Sequence, residues 1–241
     1  MSHDPIQSRL NSGVLEISLN RPTEGNKITE EMGAQLVALL GNLSSECKLV
    51  LLRSNGEDFC TGRQSPQFDR SKATAVQFRE IVAEGPLRLY RALRECRAPI
   101  VGVLQGKVHG VGCAIAALCD LAVAADDASF LIPEMDAGIP PTLVMSALAG
   151  RVPYHTLTDM VYLREELSAA DARRFGIISR VVPRGKLQNE GARIASKMAA
   201  SSAATLATIK EYAIAVCAPS SASSASLAAA LISNVLASTD R

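Results

Sequence analysis

Short apolar runs alternate with helix-spaced apolar positions along most of this chain. Residues 14–19, VLEISL, alternate in a way that predicts a strand, and Asn20-Arg21-Pro22 ends it. Thr29 can cap a helix that runs to about Leu43, with Met32, Leu36, Leu39, Leu40 and Leu43 at helical spacing. The run LVLLR at 49–53 predicts a buried strand, followed by a turn at 54–58. Residues 63–72 are polar and aperiodic and predict a mobile loop. A long helix pattern covers 73–94, with a bend expected at Gly85-Pro86.

The stretch from Ile100 to Glu134 is denser in signals. IVGVL at 100–104 is too short for a helix and predicts a buried strand. A turn with Gly106, Gly110 and Gly112 follows, then a small-residue helix over 113–118. Two more strands, at 120–125 and 129–132, lead to Pro133-Glu134. Glycines at the mouth of a helix let a ligand approach free N–H groups, and the helix dipole favours negative charge there. The stretch therefore predicts an anion-stabilising pocket with a carboxylate close behind it. Beyond it come a rigid turn at 136–141, a helix at 142–149, and a capped helix opened by Ser168 and stopped by Gly176. A last strand at 177–182 precedes helices at 188–199, 203–216 and about 226–237, with a hinge or loose segment at 218–226. Strands alternate with helices to residue 182 and helices alone follow. The expectation is an α/β core over 1–182 with a helical C-terminal region over 183–241.

Composition narrows the function. Of 241 residues 48% are hydrophobic and 20% charged, the profile of a globular protein with a full core. A net charge of +1 with scattered Lys and Arg speaks against a nucleic-acid surface, and the low aromatic content against base stacking. Without a signal-peptide pattern or a membrane-length apolar run, the expected location is cytoplasmic, with no membrane partner. Six cysteines without C-x-x-C spacing read as buried thiols, Cys113 and Cys119 as core fillers, with no metal site.

Asn20-Arg21-Pro22, the 50–54 strand, Phe59-Cys60-Thr61-Gly62, the 106–120 block, Pro133-Glu134, and 167–172 followed by Gly176-Ile177-Ile178 resemble the enoyl-CoA hydratase/isomerase (crotonase) family in order and spacing. The resemblance spans nearly the whole chain. It implies a spiral of ββα units, a C-terminal trimerisation region, a homotrimer or dimer of trimers, and an acyl-CoA thioester as substrate, with no separate cofactor. By position, the main-chain N–H groups of Arg63 and Val111 would hold the thioester oxygen while an enolate forms. Glu134 would carry the proton, at a pKa raised by apolar walls. Lys27, Thr61, Gly62, Arg63, Gln64, Gly110, Val111 and Pro133 would line the substrate and CoA site.

The chain departs from the family in three places. Ala114 stands where active hydratases carry a second glutamate, which implies double-bond isomerisation ahead of hydration. Asp136 or Asp69 could resupply the acid. Arg63-Gln64 replaces the commoner alanine and aspartate, and the guanidinium could pair with a phosphate or a substrate carboxylate, or lie on the surface. The chain also stops at Arg241, before a last helix that in many members helps cover the CoA adenine. Other readings stay open: a thioester-binding homologue with impaired catalysis, or glycines serving only tight packing. Gly110-Val111-Gly112 resembles a dinucleotide fingerprint, but Ile115 occupies its third small position. His109 and Asp120 read as structural, and a serine-hydrolase elbow is absent.

Overall fold

The structure, a computed structural model, describes residues 4–69, 73–217 and 221–238. Its larger sheet has six strands in the order β1-β2-β3-β4-β6-β9. These are β1 (Ile6–Asn11), β2 (Val14–Leu19), β3 (Leu49–Ser54), β4 (Ile100–Leu104), β6 (Leu121–Ala125) and β9 (Arg180–Val182). Only the β1–β2 hairpin is antiparallel. The smaller sheet runs β5-β7-β8: β5 (Lys107–His109), β7 (Ser129–Leu131) and β8 (Leu167–Ser168).

Parallel strands covered on both faces must be apolar throughout, which is why 49–53 and 100–104 read as continuous runs. Every residue of β4 is buried. One face of the large sheet packs on α8 (Leu187–Ala199), where Leu187, Ile194 and Ala195 meet Leu49, Leu51, Val101, Val103 and Val123. The other face meets the main core, built from α1 (Glu30–Gly41), α3 (Glu84–Glu95), α4 (Val111–Leu118) and α5 (Thr142–Leu148). Thr29 caps α1 by accepting from the N–H of Met32, as its position predicts.

Several elements differ from the sequence reading. β1 has only Ile6 buried, so it carries no apolar alternation to find. The long helix is α2 (Ala75–Phe78), a π-helical turn over Arg79–Ala83, and α3. Its irregularity therefore sits one turn before Pro86 rather than at Gly85-Pro86. Residues 107–109, expected as turn, form β5, and α4 begins at Val111 with Gly110 as its cap. A helix α6 (Tyr154–Tyr162) went unread. It buries Thr156, Leu157, Met160 and Val161 but exposes Tyr154 and Tyr162. Ser168 caps α7 (Ala169–Arg174) as expected. The expected mobile loop holds no helix or strand over 64–69, and 70–72 lie outside the described residues. Of the expected hinge, 218–220 lie outside them too, and α10 (Ser221–Ser238) already begins at Ser221 after α9 (Ala203–Cys217). No described helix is long and apolar enough to cross a membrane.

Candidate active site

β5 is the organiser. On one side it pairs in parallel with β7, matching His109 with Leu131. On the other, Cys60 donates to the carbonyl of Lys107 (3.0 Å) and accepts from the N–H of His109 (2.8 Å). The N–H of Gly110 then bonds to the carbonyl of Leu131 at 2.8 Å. Three segments far apart in sequence thus end side by side: Cys60-Thr61-Gly62, His109-Gly110-Val111, and Leu131 running into Pro133-Glu134.

Their convergence is close. A Cβ placed on Gly110 would stand 2.8 Å from Oε1 of Glu134 and 3.6 Å from Cα of Gly62. Gly110 also has φ +54°, where a side chain is strained, so glycine is demanded twice over at this point. Gly112 packs tightly as well, since its Cβ would lie 2.7 Å from the carbonyl oxygen of Cys60. The packing role expected of these glycines is therefore present.

The two expected donors lie at the ends of their segments. The Arg63 stretch bridges to Ile28, using the carbonyl of Gly62 and the N–H of Gln64, each at 2.9 Å. In a parallel bridge of this register the N–H of Arg63 faces the opposite edge. Among the described residues no main-chain carbonyl accepts it. The N–H of Val111 is the first of α4 and likewise finds no acceptor there. Both residues line a cavity of about 340 Å³ with Ile28, Ala34, Pro86 and Leu89. A groove of about 400 Å³ between the outer sides of α1 and α3 contains none of the site residues.

Glu134 opens a 3₁₀ turn, Glu134–Ala137, closed by Gly138 in the left-handed region. Its Oε2 is buried and has no hydrogen-bond partner among the described residues. Burial raises the carboxyl from 4.5 to about 7, opposed only by a bond to its own main-chain N–H. Ala114 is fully buried one turn beyond Gly110, with its N–H on the Gly110 carbonyl. Asp136, a candidate substitute acid, is exposed and pairs with Arg164 at 2.9 Å. Asp69 is exposed as well.

The Arg63 guanidinium is part-buried rather than a surface charge. It turns inward and donates to the carbonyls of Val82 (2.6 Å) and Ile81 (3.3 Å) in the π-helical turn. Burial lowers its pKa, against smaller opposing effects of Tyr90 and Glu30. Lys27 is exposed beside Ile28, Thr61 donates its N–H to Gly25, and Gln64 accepts from Arg21. Thr61 and Pro133 belong to the converging segments, while Lys27 and Gln64 lie next to the Ile28–Arg63 bridge.

Tyr90 is a neighbour that sequence reasoning missed. It is 1% exposed, and its hydroxyl is held far above the usual tyrosine range, first by burial and then by the Glu134 charge. In sequence it is only one more apolar position of α3, beside Leu89 and Leu93. His109 is structural, as expected: its Nε2 lies 3.3 Å from Oγ of Ser129 and 3.6 Å from Glu166. So is Asp120, whose Oδ2 accepts from the N–H of Ile100 (2.7 Å) and from Nζ of Lys210 (2.8 Å). Cys47, Cys60, Cys96, Cys113 and Cys119 are free and buried, and the side chain of Cys217 lies outside those described.

Chain segments carrying Arg63 and Val111 that meet near the Glu134 carboxylate, at the ends of parallel strands, point to one class of protein. The enoyl-CoA hydratase/isomerase family profile matches residues 9–241, and the chain belongs to that family. Enoyl-CoA hydratase domain-containing protein 3, mitochondrial, from Rattus norvegicus is 31% identical over 205 residues, 83% of this chain and 67% of that protein. The Homo sapiens protein of the same name is 30% identical over 200 residues, 81% of this chain and 64% of its own length. The chain thus spans about two thirds of these relatives. The crystal structure of the human protein covers 95% of this chain and 91% of its own at TM-score 0.77 and 26% identity. An enoyl-CoA hydratase from Mycobacterium smegmatis covers 95% and 91% at TM-score 0.82 and 27% identity. The fold is accordingly the crotonase fold.

Proposed function

We propose that this protein converts an enoyl-CoA thioester through an enolate and moves its double bond rather than hydrating it. One observation carries the reading: a Cβ on Gly110 would stand 2.8 Å from Oε1 of Glu134 and 3.6 Å from Cα of Gly62, which brings the carboxylate close to the segments that carry the N–H groups of Arg63 and Val111. The ionised carboxylate takes a proton from the carbon next to the thioester carbonyl. The electron pair of that C–H bond moves into the conjugated system and onto the carbonyl oxygen. The N–H groups of Arg63 and Val111 stabilise that oxygen, each worth about 3–4 kcal/mol in such sites. Glu134 then returns the proton two carbons further along, and the double bond ends beside the thioester. A hydratase must also hold and polarise a water, for which a second carboxylate is wanted. CoA enters as part of the substrate and no further cofactor is invoked.

The same reading includes cytoplasmic location and association into trimers or dimers of trimers through the C-terminal helices. Ile209, Tyr212 and Val216 on α9, and Leu227, Leu231 and Val235 on α10, are exposed apolar positions at helical spacing that support it.

The test is turnover of a 3-enoyl-CoA and a 2-enoyl-CoA series by the parent, Glu134→Gln and Ala114→Glu. Isomerisation should dominate in the parent and vanish in Glu134→Gln, and Ala114→Glu should raise the ratio of hydration to isomerisation. A parent that hydrates faster than it isomerises refutes the preference. Thioester binding without turnover identifies an impaired, acyl-CoA-binding homologue instead.

A further inference from the structure

We propose that the Arg63 side chain is a positioning residue, tying the peptide N–H of its own residue to the helix beside it by replacing the N–H that Pro86 lacks. The inference rests on the oxyanion role given to that N–H above. In an α-helix the carbonyl of Val82 would accept from residue 86, four positions on. In the wider π turn, where Glu84 bonds back to Arg79, the carbonyl of Ile81 would also look to residue 86, five positions on. Proline donates to neither. Both carbonyls receive Arg63 instead, Nη1 on Val82 and Nη2 on Ile81. The planar fork of a guanidinium suits two adjacent acceptors. Nη2 packs beside Gly85, 3.5 Å from where a Cβ of that residue would be, an ordinary contact distance.

The consequence reaches the site through the main chain. Gly62, which precedes Arg63, has φ +124° and open space where a Cβ would stand, so it cannot hold its own peptide in place. On one side the bridge to Ile28 holds the Gly62 carbonyl and the Gln64 N–H. On the other the guanidinium reaches the helix. Residue 63 is therefore clamped between two elements, and its free N–H is aimed by both. The smaller side chain common at this position in the family could not make the second clamp.

A merely structural arginine and a positioning one separate in a mutant cycle of Arg63→Met, Pro86→Ala and the double variant, with Arg63→Lys alongside. All keep the N–H of residue 63. Alanine at 86 restores a donor to the helix but not the clamp on residue 63. Urea unfolding should show Arg63→Met destabilised and the double variant recovered. Turnover should not follow: kcat should fall about tenfold to a hundredfold in Arg63→Met and stay low in the double variant, with KM changed less than about threefold. Arg63→Lys should retain part of both properties. Difference infrared spectra of crotonyl-CoA labelled with ¹³C at the thioester carbonyl give a reading independent of turnover. The bound carbonyl band should lie below that of free ligand in the parent and move back toward it in both variants with methionine at 63. Recovery of kcat together with stability in the double variant overturns the inference, as does an Arg63→Met protein with parental kcat and carbonyl band. A parent that shifts no carbonyl band and turns over no enoyl-CoA overturns the function itself and the inference with it. Failure of the function is thus seen in the parent, and failure of the inference alone only in the variants.

Discussion

Glu134→Gln should change how stability depends on pH. The Glu134 carboxyl titrates near 7 in the folded protein against 4.5 ordinarily, because burial disfavours its charged form. Below pH 4.5 both folded and unfolded chains hold this proton and the residue contributes nothing. Between 4.5 and 7 the unfolded chain releases it first, so the native state binds more protons and stability falls as pH rises. Above 7 the penalty is complete, at about 3 kcal/mol by linkage. Between pH 5 and pH 8 the change is about 2.5 kcal/mol. Glutamine cannot ionise and escapes this slope, while any amide left unpaired at the Oε2 position costs the same at every pH. Subtracting variant from parent also cancels the other titrating groups. The assay is urea unfolding of both proteins at matched concentration, since self-association would shift midpoints by mass action. Parent stability relative to the variant should fall by about 2.5 kcal/mol from pH 5 to pH 8. A difference flat to within about 0.5 kcal/mol would refute a dry, uncompensated carboxylate at this position.

Catalysis and stability elsewhere follow the same geometry. The parent's kcat/KM for isomerisation should rise with pH up to about 7 and level off, because the base must be ionised; a profile flat from pH 5 to 8 counts against Glu134 as base. Gly110→Ala places a methyl 2.8 Å from Oε1 of Glu134 at a positive φ, and should cut turnover at least about a hundredfold while the protein still folds; activity within about threefold of the parent refutes the convergence. Lys210→Met removes the partner of Asp120, whose side chain is 23% exposed, and should cost about 2–3 kcal/mol in urea unfolding, less than a fully buried pair would lose. A loss below about 1 kcal/mol would mean solvent already screens that pair.

Legibility from sequence followed burial. β3 and β4 are covered on both faces, so their apolar runs were plain. β1, with only Ile6 buried, carried no such signal, and α6 mixes its buried positions with exposed tyrosines. β5 is three residues between two glycines, and local pattern cannot show that Cys60 and Leu131 will pair with it. Glu134, Arg63 and Val111 are assigned through the order of motifs, which lie at the ends of segments that the structure brings together. The direction of the Arg63 side chain was not legible. It depends on a missing N–H more than twenty positions away at Pro86, and only coordinates bring the two together. Tyr90 was invisible for a related reason: apolar spacing marks a buried ring without saying what its hydroxyl approaches.

The Lys210 ammonium gathers the Asp120 carboxylate and the carbonyls of Ala98 and Leu93 around the entry to β4. Asp120 and Lys210 are 90 positions apart, so a ribosome working at about 5–20 residues per second needs roughly 5 to 18 s to deliver the second after the first. Throughout that interval the nascent strands that will frame the catalytic pocket hold an anion without its counter-ion. Final closure of the core therefore waits until residue 210 has been made, and a stalled chain released before that point would be a better client for chaperones than a folded protein.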